Sequence, residues 1–283
     1  MKILDHKIDF VLLISVNNAN PNGDPLNGNR PRQNFDGYGE ISDVAIKRKI
    51  RNRLIDMGEN VFIQSNDKNV DGFKSLKERV ESVEELQEVS KGKSKDADRY
   101  AKIASKTWID VRSFGQVFAF KGQDLSVGVR GPVSIHTAVS VNPIDINSMQ
   151  ITKSVNSITG DKKGSDTMGT KHRVDFGVYV VKGSINTQLA EKTEFTYEDA
   201  EKIKEAIRTL FENDASSARP DGSMEVLKLY WWEHNSKLGQ YSSAKVHRAL
   251  KIKSKTAVPK SIKDYEFNLT PLEGLKVDEI NGL

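Results

Sequence analysis

The sequence predicts an α+β fold in the order strand, helix, strand, strand, helix, strand. Three observations predict it: a nearly continuous apolar run at residues 8–16, two segments whose apolar residues recur at helical spacing, and two that alternate apolar with polar residues. The first run, IDFVLLISV, is rich in branched side chains and long enough for a strand covered on both faces, which places it at the sheet centre. Seven Asn residues then crowd between Asn17 and Asn34 with Gly and Pro, so turn chemistry excludes regular structure and a long loop is expected.

Ser42 is a helix cap for DVAIKRKIRNRLIDM, whose Ile46, Ile50, Leu54 and Met57 form one stripe and whose end is marked by Gly58. Lys47, Arg48, Lys49, Arg51 and Arg53 put five cations into seven residues of that helix. A solvated face normally mixes signs for pairing one turn apart, and this one is nearly single-signed, which points to contact with a polyanion. Residues 66–106 differ, with ten Lys or Arg against nine Asp or Glu around Phe73, Leu76, Val80, Val83 and Leu86. That balance predicts an inserted amphipathic helical arm, with a solvated turn at Lys91-Gly92-Lys93-Ser94-Lys95.

Beyond the arm, Val133, Ile135, Val139 and Val141 alternate with Ser134, His136, Ala138 and Ser140, predicting one half-buried strand. A polar segment from about Gln150 to Thr170 protrudes before a second alternating run, Val174, Phe176, Val178 and Val180. Thr196 caps a second helix on Ala200, Ile203, Ile207 and Leu210 or Phe211, and MEVLKLYWW supplies the last strand. Stripped of insertions, this is the split βαβ order of ferredoxin-like and RNA-recognition-motif folds. Fold alone does not assign function.

Composition narrows the chemistry. The 283 residues suffice for one large domain or two small ones, and 37% hydrophobic with 29% charged residues suits a globular protein. No apolar run approaches the roughly 20 residues of a membrane span, and Met1-Lys2-Ile3-Leu4-Asp5-His6 lacks a secretory pattern, so the expectation is cytoplasmic. The absence of cysteine excludes disulfides and thiolate zinc sites. A net charge of only +4 means that affinity for nucleic acid must come from local clustering. Nucleotide, dinucleotide, serine-hydrolase and HExxH signatures are absent, and His6, His136, His172, His234 and His247 have no metal-ligand spacing, so no cofactor or metal is expected. Asp24 and Asp36 lie in the Asn-rich loop, where a carboxylate can hold a metal near RNA or simply serve a turn. The turn is preferred, since a lone Asp without a base is a poor catalytic constellation.

The motifs NNANPNGDP, RPR, DVRSFGQVF, GPVSIHTA and DTMGTKHRVDFGVYV, in this order, resemble the Cas seven family, the backbone subunit of CRISPR Cascade complexes, and within it the type I-C (Csd) members. The resemblance is weakest over 60–105 and after 235. It implies a subunit without chemistry of its own, many copies of which polymerise head to tail along a CRISPR RNA. They leave the guide free to pair with target DNA, alongside a large subunit, a small subunit and a Cas-five-type cap. It also implies a palm of 1–59, 107–141 and 173–283, a helical insertion over 60–106, and a thumb hairpin over 142–172 that displaces a base of the RNA.

Holding any guide sequence calls for grip on phosphate and sugar. Arg30, Arg32, Lys47, Lys49, Arg51 and Arg53 suit that grip, and the helix after Ser42 adds its positive end. Between Gln150 and Arg173 five Lys or Arg face two Asp. Met168 is expected at the tip of the closing turn, either as a wedge between bases or packed back on the sheet. Lys171, His172 and Arg173 resemble the family's strand entry, which implies contact with phosphate or sugar. Arg112 and Arg130 lie in family motifs and either bind RNA or brace the fold through a carboxylate such as Asp110. Phe176 and Tyr179 are not expected to stack bases, because Asp175 stands where the usual RNA-recognition octamer has glycine. Two rivals remain: a metal-dependent ribonuclease of type III kind using Asp24 or Asp36, and a monomeric single-strand binder.

Overall fold

The computed structural model describes residues 2–91, 96–120, 125–152 and 168–283. In chain order the strands are β1 (Ile8–Ala19), β2 (Gly23–Asp24), β3 (Arg30–Pro31), β4 (Tyr38–Ile41), β5 (Gln116–Phe118), β6 (Val127–Val129), β7 (Val133–Ile135), β8 (Ala138–Pro143), β9 (Ile146–Thr152), β10 (Met168–Ile185), β11 (Met224–Glu233), β12 (Leu250–Ser254), β13 (Tyr265–Leu269) and β14 (Val277–Asn281). The helices are α1 (Asp43–Asp56), α2 (Leu76–Glu81), α3 (Glu84–Lys91), α4 (Ala97–Thr107), α5 (Ile109–Phe114), α6 (Thr187–Thr193), α7 (Tyr197–Arg208) and α8 (Ser243–Ala249). The large sheet is antiparallel in the order β14-β11-β1-β10-β8-β4, and β7 and β9 also pair with β10. Among the described residues no helix is long and apolar enough to cross a membrane.

The first apolar run behaves as its composition dictates. Residues 8–16 are buried throughout, and their period-2 alternation feeds two cores. Ile8, Phe10, Leu12, Ile14 and Val16 meet Ile46 and Ile50 of α1 and Ile203 and Ile207 of α7, while Val11 and Leu13 meet Tyr230, Trp232 and Val246 on the opposite face. The Ser42 hydroxyl caps α1 by accepting the Ala45 N–H. At its other end Gly58, with φ +83°, lets its own amide reach the Ile55 carbonyl and the Glu59 amide reach that of Leu54. Helix α7 starts with a reciprocal capping box between Thr196 and Asp199.

Two sequence expectations fail here for identifiable reasons. Residues 133–141 are not one strand: between Ile135 and Val139 the chain takes four steps while β10 takes three, from Gly183 to Val180. The extra residue inverts the alternation, so Ala138 and Ser140 turn inward and Val139 is 37% exposed. The arm, in turn, carries three α-helices among the described residues, α2, α3 and α4, with their own core. That core does not stop at residue 106, because Trp108 and Phe118 pack on Phe62 at ring separations of 4.7 and 5.1 Å, and Val127 and Val129 join them. Hairpin β5–β6, expected as palm, therefore packs with the arm. The lysine-rich turn at 92–95 and the thumb's residues 153–167 lie outside the described residues.

A buried polar network ties β1 to the segment after β11. The Asp9 carboxylate, fully buried, takes the Lys7 ammonium at 3.0 Å and His234 Nε2 at 2.9 Å. His234 Nδ1 accepts the Gln240 N–H, which fixes the proton on Nε2 and a neutral ring. His247 Nε2 donates to the Gly183 carbonyl. Burial lowers the pKa of His247 below its ordinary value. Burial works to raise that of Asp9, but hydrogen bonds from His234, Ser243 and Lys7 outweigh it and the net direction is down. Unfolded His247 takes up a proton below pH 6.5 that the folded site resists, which acts between pH 7.5 and 5, whereas Asp9 loses its contribution only below its ordinary 3.8 as pH falls through its depressed pKa. The melting temperature should therefore drop as pH falls from 7.5 to 5, and His247→Gln should flatten that drop, as differential scanning fluorimetry across the range will show.

Candidate nucleic-acid interface

The Asn-rich loop is ordered by its own side chains. Asn20 Nδ2 donates to the Asn29 carbonyl at 2.7 Å, Asn22 Oδ1 accepts the Ser42 amide, and Asn34 Oδ1 accepts the amides of Asp36 and Tyr38. Strands β2 and β3 close so tightly that a Cβ at Gly23 would sit 1.9 Å from Asn29 Oδ1. The carboxamides are thus committed to holding the backbone. Asp24 serves the same turn, accepting the Leu26 amide and facing the Arg32 guanidinium at 3.5 Å. Asp36 is exposed on the next turn. Among the described residues no group of three His, Cys, Asp or Glu side chains is disposed to hold a metal ion.

The segment expected as a thumb begins in a two-stranded stem, β9 against β10, with Lys171 opposite Met149, His172 opposite Ser148 and Arg173 opposite Asn147. Opposed residues share a face and successive ones alternate, so the expected trio is divided. His172 and Ser148 turn toward the loop, where Arg30 Nη1 donates to Ser148 Oγ at 3.0 Å and Ser148 lies 2.8 Å from His172 Nδ1. Lys171 is exposed on the other face with Met149 and Ile151, and Arg173 approaches Asp175 at 3.9 Å. Met168 is not at a turn: it pairs with Thr152 in the ladder and is 61% exposed, so it is not packed back on the sheet.

The basic helix is the principal correction. Lys49 is only 7% exposed and bonded to Asp214; burial pulls its ammonium pKa down to about 8, Asp214 opposing the shift and Arg219 and Arg48 adding to it. Arg51 Nε donates to Asp110 at 2.8 Å, and that buried carboxylate also accepts the amides of Phe62 and Ile63 at 2.7 and 3.1 Å. Arg53 Nε donates to Thr209 Oγ1, and Lys47 pairs with Asp43 one turn back. Arg112 likewise braces the fold, but through Asp199 in a two-pronged pair at 2.7 and 3.0 Å, with Asp110 taken by Arg51. The helix packs on α7, and its Lys47, Lys49 and Arg51 reach carboxylates while Arg48 stays 64% exposed. Arg130 is exposed beside α6, in a groove with Asn186, Gln188 and Lys192 that no residue of the loop or stem lines.

Sequence reasoning missed a polar cleft of about 420 Å³ beside the exposed edge of α1, lined among others by Asn22, Arg48, Asn52, Lys68, Ser216 and Arg219. Its cations come from three separate segments, so no local run announces it. Arg219 follows Asp214 in a tight turn and faces it at 3.5 Å. The arrangement offers a cationic loop–stem junction and a polar cleft whose cations face Asp67 and Asp214.

Residues 6–270 match the family model described as CRISPR-associated protein Cas7, and the chain belongs to that family. A CRISPR-associated protein Cas7 from Haloferax volcanii is 24% identical over 230 residues, an alignment covering 75% of this chain and 66% of that relative. Among solved structures, a chain titled CRISPR RNA-guided surveillance complex, pre-nicking, aligns over 80% of this chain and 75% of its own at 17% identity with a TM-score of 0.48. Another, titled CRISPR RNA-guided surveillance complex, aligns over 80% of this chain and 68% of its own at 17% identity and 0.45.

Removing a buried partner leaves its counter-charge stranded. Arg51→Ala should cost about 3 kcal/mol in urea unfolding, whereas Arg30→Ala, whose guanidinium bonds only an exposed serine in the stem, should stay within about 0.5 kcal/mol of the parent.

Proposed function

We propose that this chain is a CRISPR RNA-binding backbone subunit of a Cascade-type complex, of the type I-C kind its motifs resemble, acting without catalysis. Copies add head to tail along the guide, and the assembled row presents it for pairing with target DNA beside the other Cascade subunits. The observation that carries this reading is the junction of loop and stem. On one hairpin Arg30 meets Ser148 beside His172 of the stem and Arg32 faces Asp24, while Lys171 and Arg173 stand on the stem's other face. Such a surface grips phosphate and ribose, and the Asn20, Asn22 and Asn34 carboxamides of the loop are already spent on holding its backbone.

The strand order supports a split βαβ palm of the RNA-recognition-motif kind. Of the four strands that carry the palm, β11-β1-β10-β8 stand in the order fourth, first, third, second, with α1 and α7 on one face. The other face is covered by α8, β12 and β13, and Phe176 lies 6.4 Å from Tyr265 beneath that cover. The palm sheet therefore offers no open aromatic platform, and contact with RNA falls to the loop, the stem and the cleft.

Mixing the protein with guide RNAs of increasing length should give complexes whose mass rises in steps of one subunit, measured by mass photometry, and which dissolve as salt is raised. A single bound copy at every length contradicts the filament. RNA fragments that require magnesium and vanish in Asp24→Ala or Asp36→Ala contradict the absence of catalysis. The triple change Arg30→Ala, Arg32→Ala, Lys171→Ala should lower the slope of log K against log salt by about 2 if each cation meets one phosphate.

A further inference from the structure

We propose that Phe35 is a stacking post for one unpaired base of the bound strand, an inference that rests on the RNA-binding reading and assigns a second kind of contact to the same interface. Its ring is 105% exposed relative to a reference residue, the highest value among the large apolar side chains of the described chain. One exposed apolar side chain needs no explanation in itself. What surrounds this one does. Gln33 Nε2 donates to the carbonyls of Gly37 and Ile144 at 3.1 and 3.0 Å, and Asn34 Oδ1 accepts the amides of Asp36 and Tyr38 at 3.1 and 2.9 Å. The Asn34 amide donates to the Tyr38 carbonyl, the Gly37 amide to that of Asn34, and Gly37 adopts φ +82°. Every other residue of this turn is held, and Phe35 is what it presents.

A rigid aromatic that projects from a fixed turn loses little freedom on binding. Its position selects the ligand. On one side the hairpin runs back to Arg32 and Arg30, and on the other Tyr38 pairs with Pro143, where the chain turns toward the thumb stem. A cationic track with an aromatic beside it is the arrangement that holds single-stranded nucleic acid through phosphate and base together. Asp36, next to the ring and exposed, repels phosphate, so the strand passes this point with a base and not its backbone toward the protein. A protein knob, by contrast, is ringed by apolar contacts, and the residues flanking this ring, Asn34 and Asp36, are polar.

The test compares the full chain with Phe35→Ala and Phe35→Trp on single-stranded RNA. Phe35→Ala should melt with the parent, since the ring supports nothing, and should weaken RNA binding about tenfold with an unchanged salt slope, because no phosphate contact is lost. Phe35→Trp should bind like the parent and show indole quenching on titration with RNA; Trp108, Trp231 and Trp232 are buried and contribute a constant background. Parental affinity in Phe35→Ala overturns the stacking post while leaving RNA binding intact. Parental affinity together with arrested growth of multimers overturns it in favour of a contact between copies. A parent chain that does not bind RNA overturns this inference and the proposed function alike.

Discussion

Asp110 is the constraint around which the molecule is arranged. Its carboxylate, 1% exposed, sits at the start of α5 and holds the Arg51 guanidinium together with the Phe62 and Ile63 amides. A buried carboxylate must be paired and fully hydrogen-bonded, so this one fixes three things at once: the rotation of α1, the entry of the chain into the arm, and the seating of α5 between the two cores. Asp199 repeats the logic at the cap of α7 by taking Arg112, and Asp214 repeats it at the far end of the palm by taking Lys49. Together they convert a cation-rich helix into an internal strut.

That conversion decides where a polyanion can be met. With Lys49, Arg51 and Arg53 turned inward, the basic helix leaves Arg48 to solvent beside the cleft, and the loop and the stem carry further cations. The loop is positioned by asparagine carboxamides and the stem by continuation of β10 beyond the sheet, so both cationic sets stand on elements already made rigid by hydrogen bonding. A surface built this way would grip a chain of phosphates without selecting among bases, as the proposed role with any guide requires. The same rigidity gives the exposed ring of Phe35 a defined place on it.

Local signals in the sequence were legible and long-range ones were not. The buried run 8–16 of β1, the stripe of Ile46, Ile50 and Leu54, and the caps at Ser42 and Thr196 follow from spacing and side-chain chemistry within a few residues. The fate of the basic helix was hidden because Arg51 meets a partner 59 residues away and Lys49 one 165 away. The half-buried strand at 133–141 misled because one extra residue at His136–Thr137 inverts which side faces the core, and alternation alone cannot register it. Phe35 escaped notice because only the hydrogen bonds of its turn reveal that a lone aromatic in a polar loop is held outward.

Chemical footprinting tests this division of the cations most directly. Acylation of lysines and glyoxal labelling of arginines, read by mass spectrometry with and without single-stranded RNA, should find Lys171, Arg30 and Arg32 reactive in the free protein and protected by RNA, while Lys49 and Arg51 stay unreactive in both. Labelling of Lys49 and Arg51 in the free protein, lost on adding RNA, would contradict it.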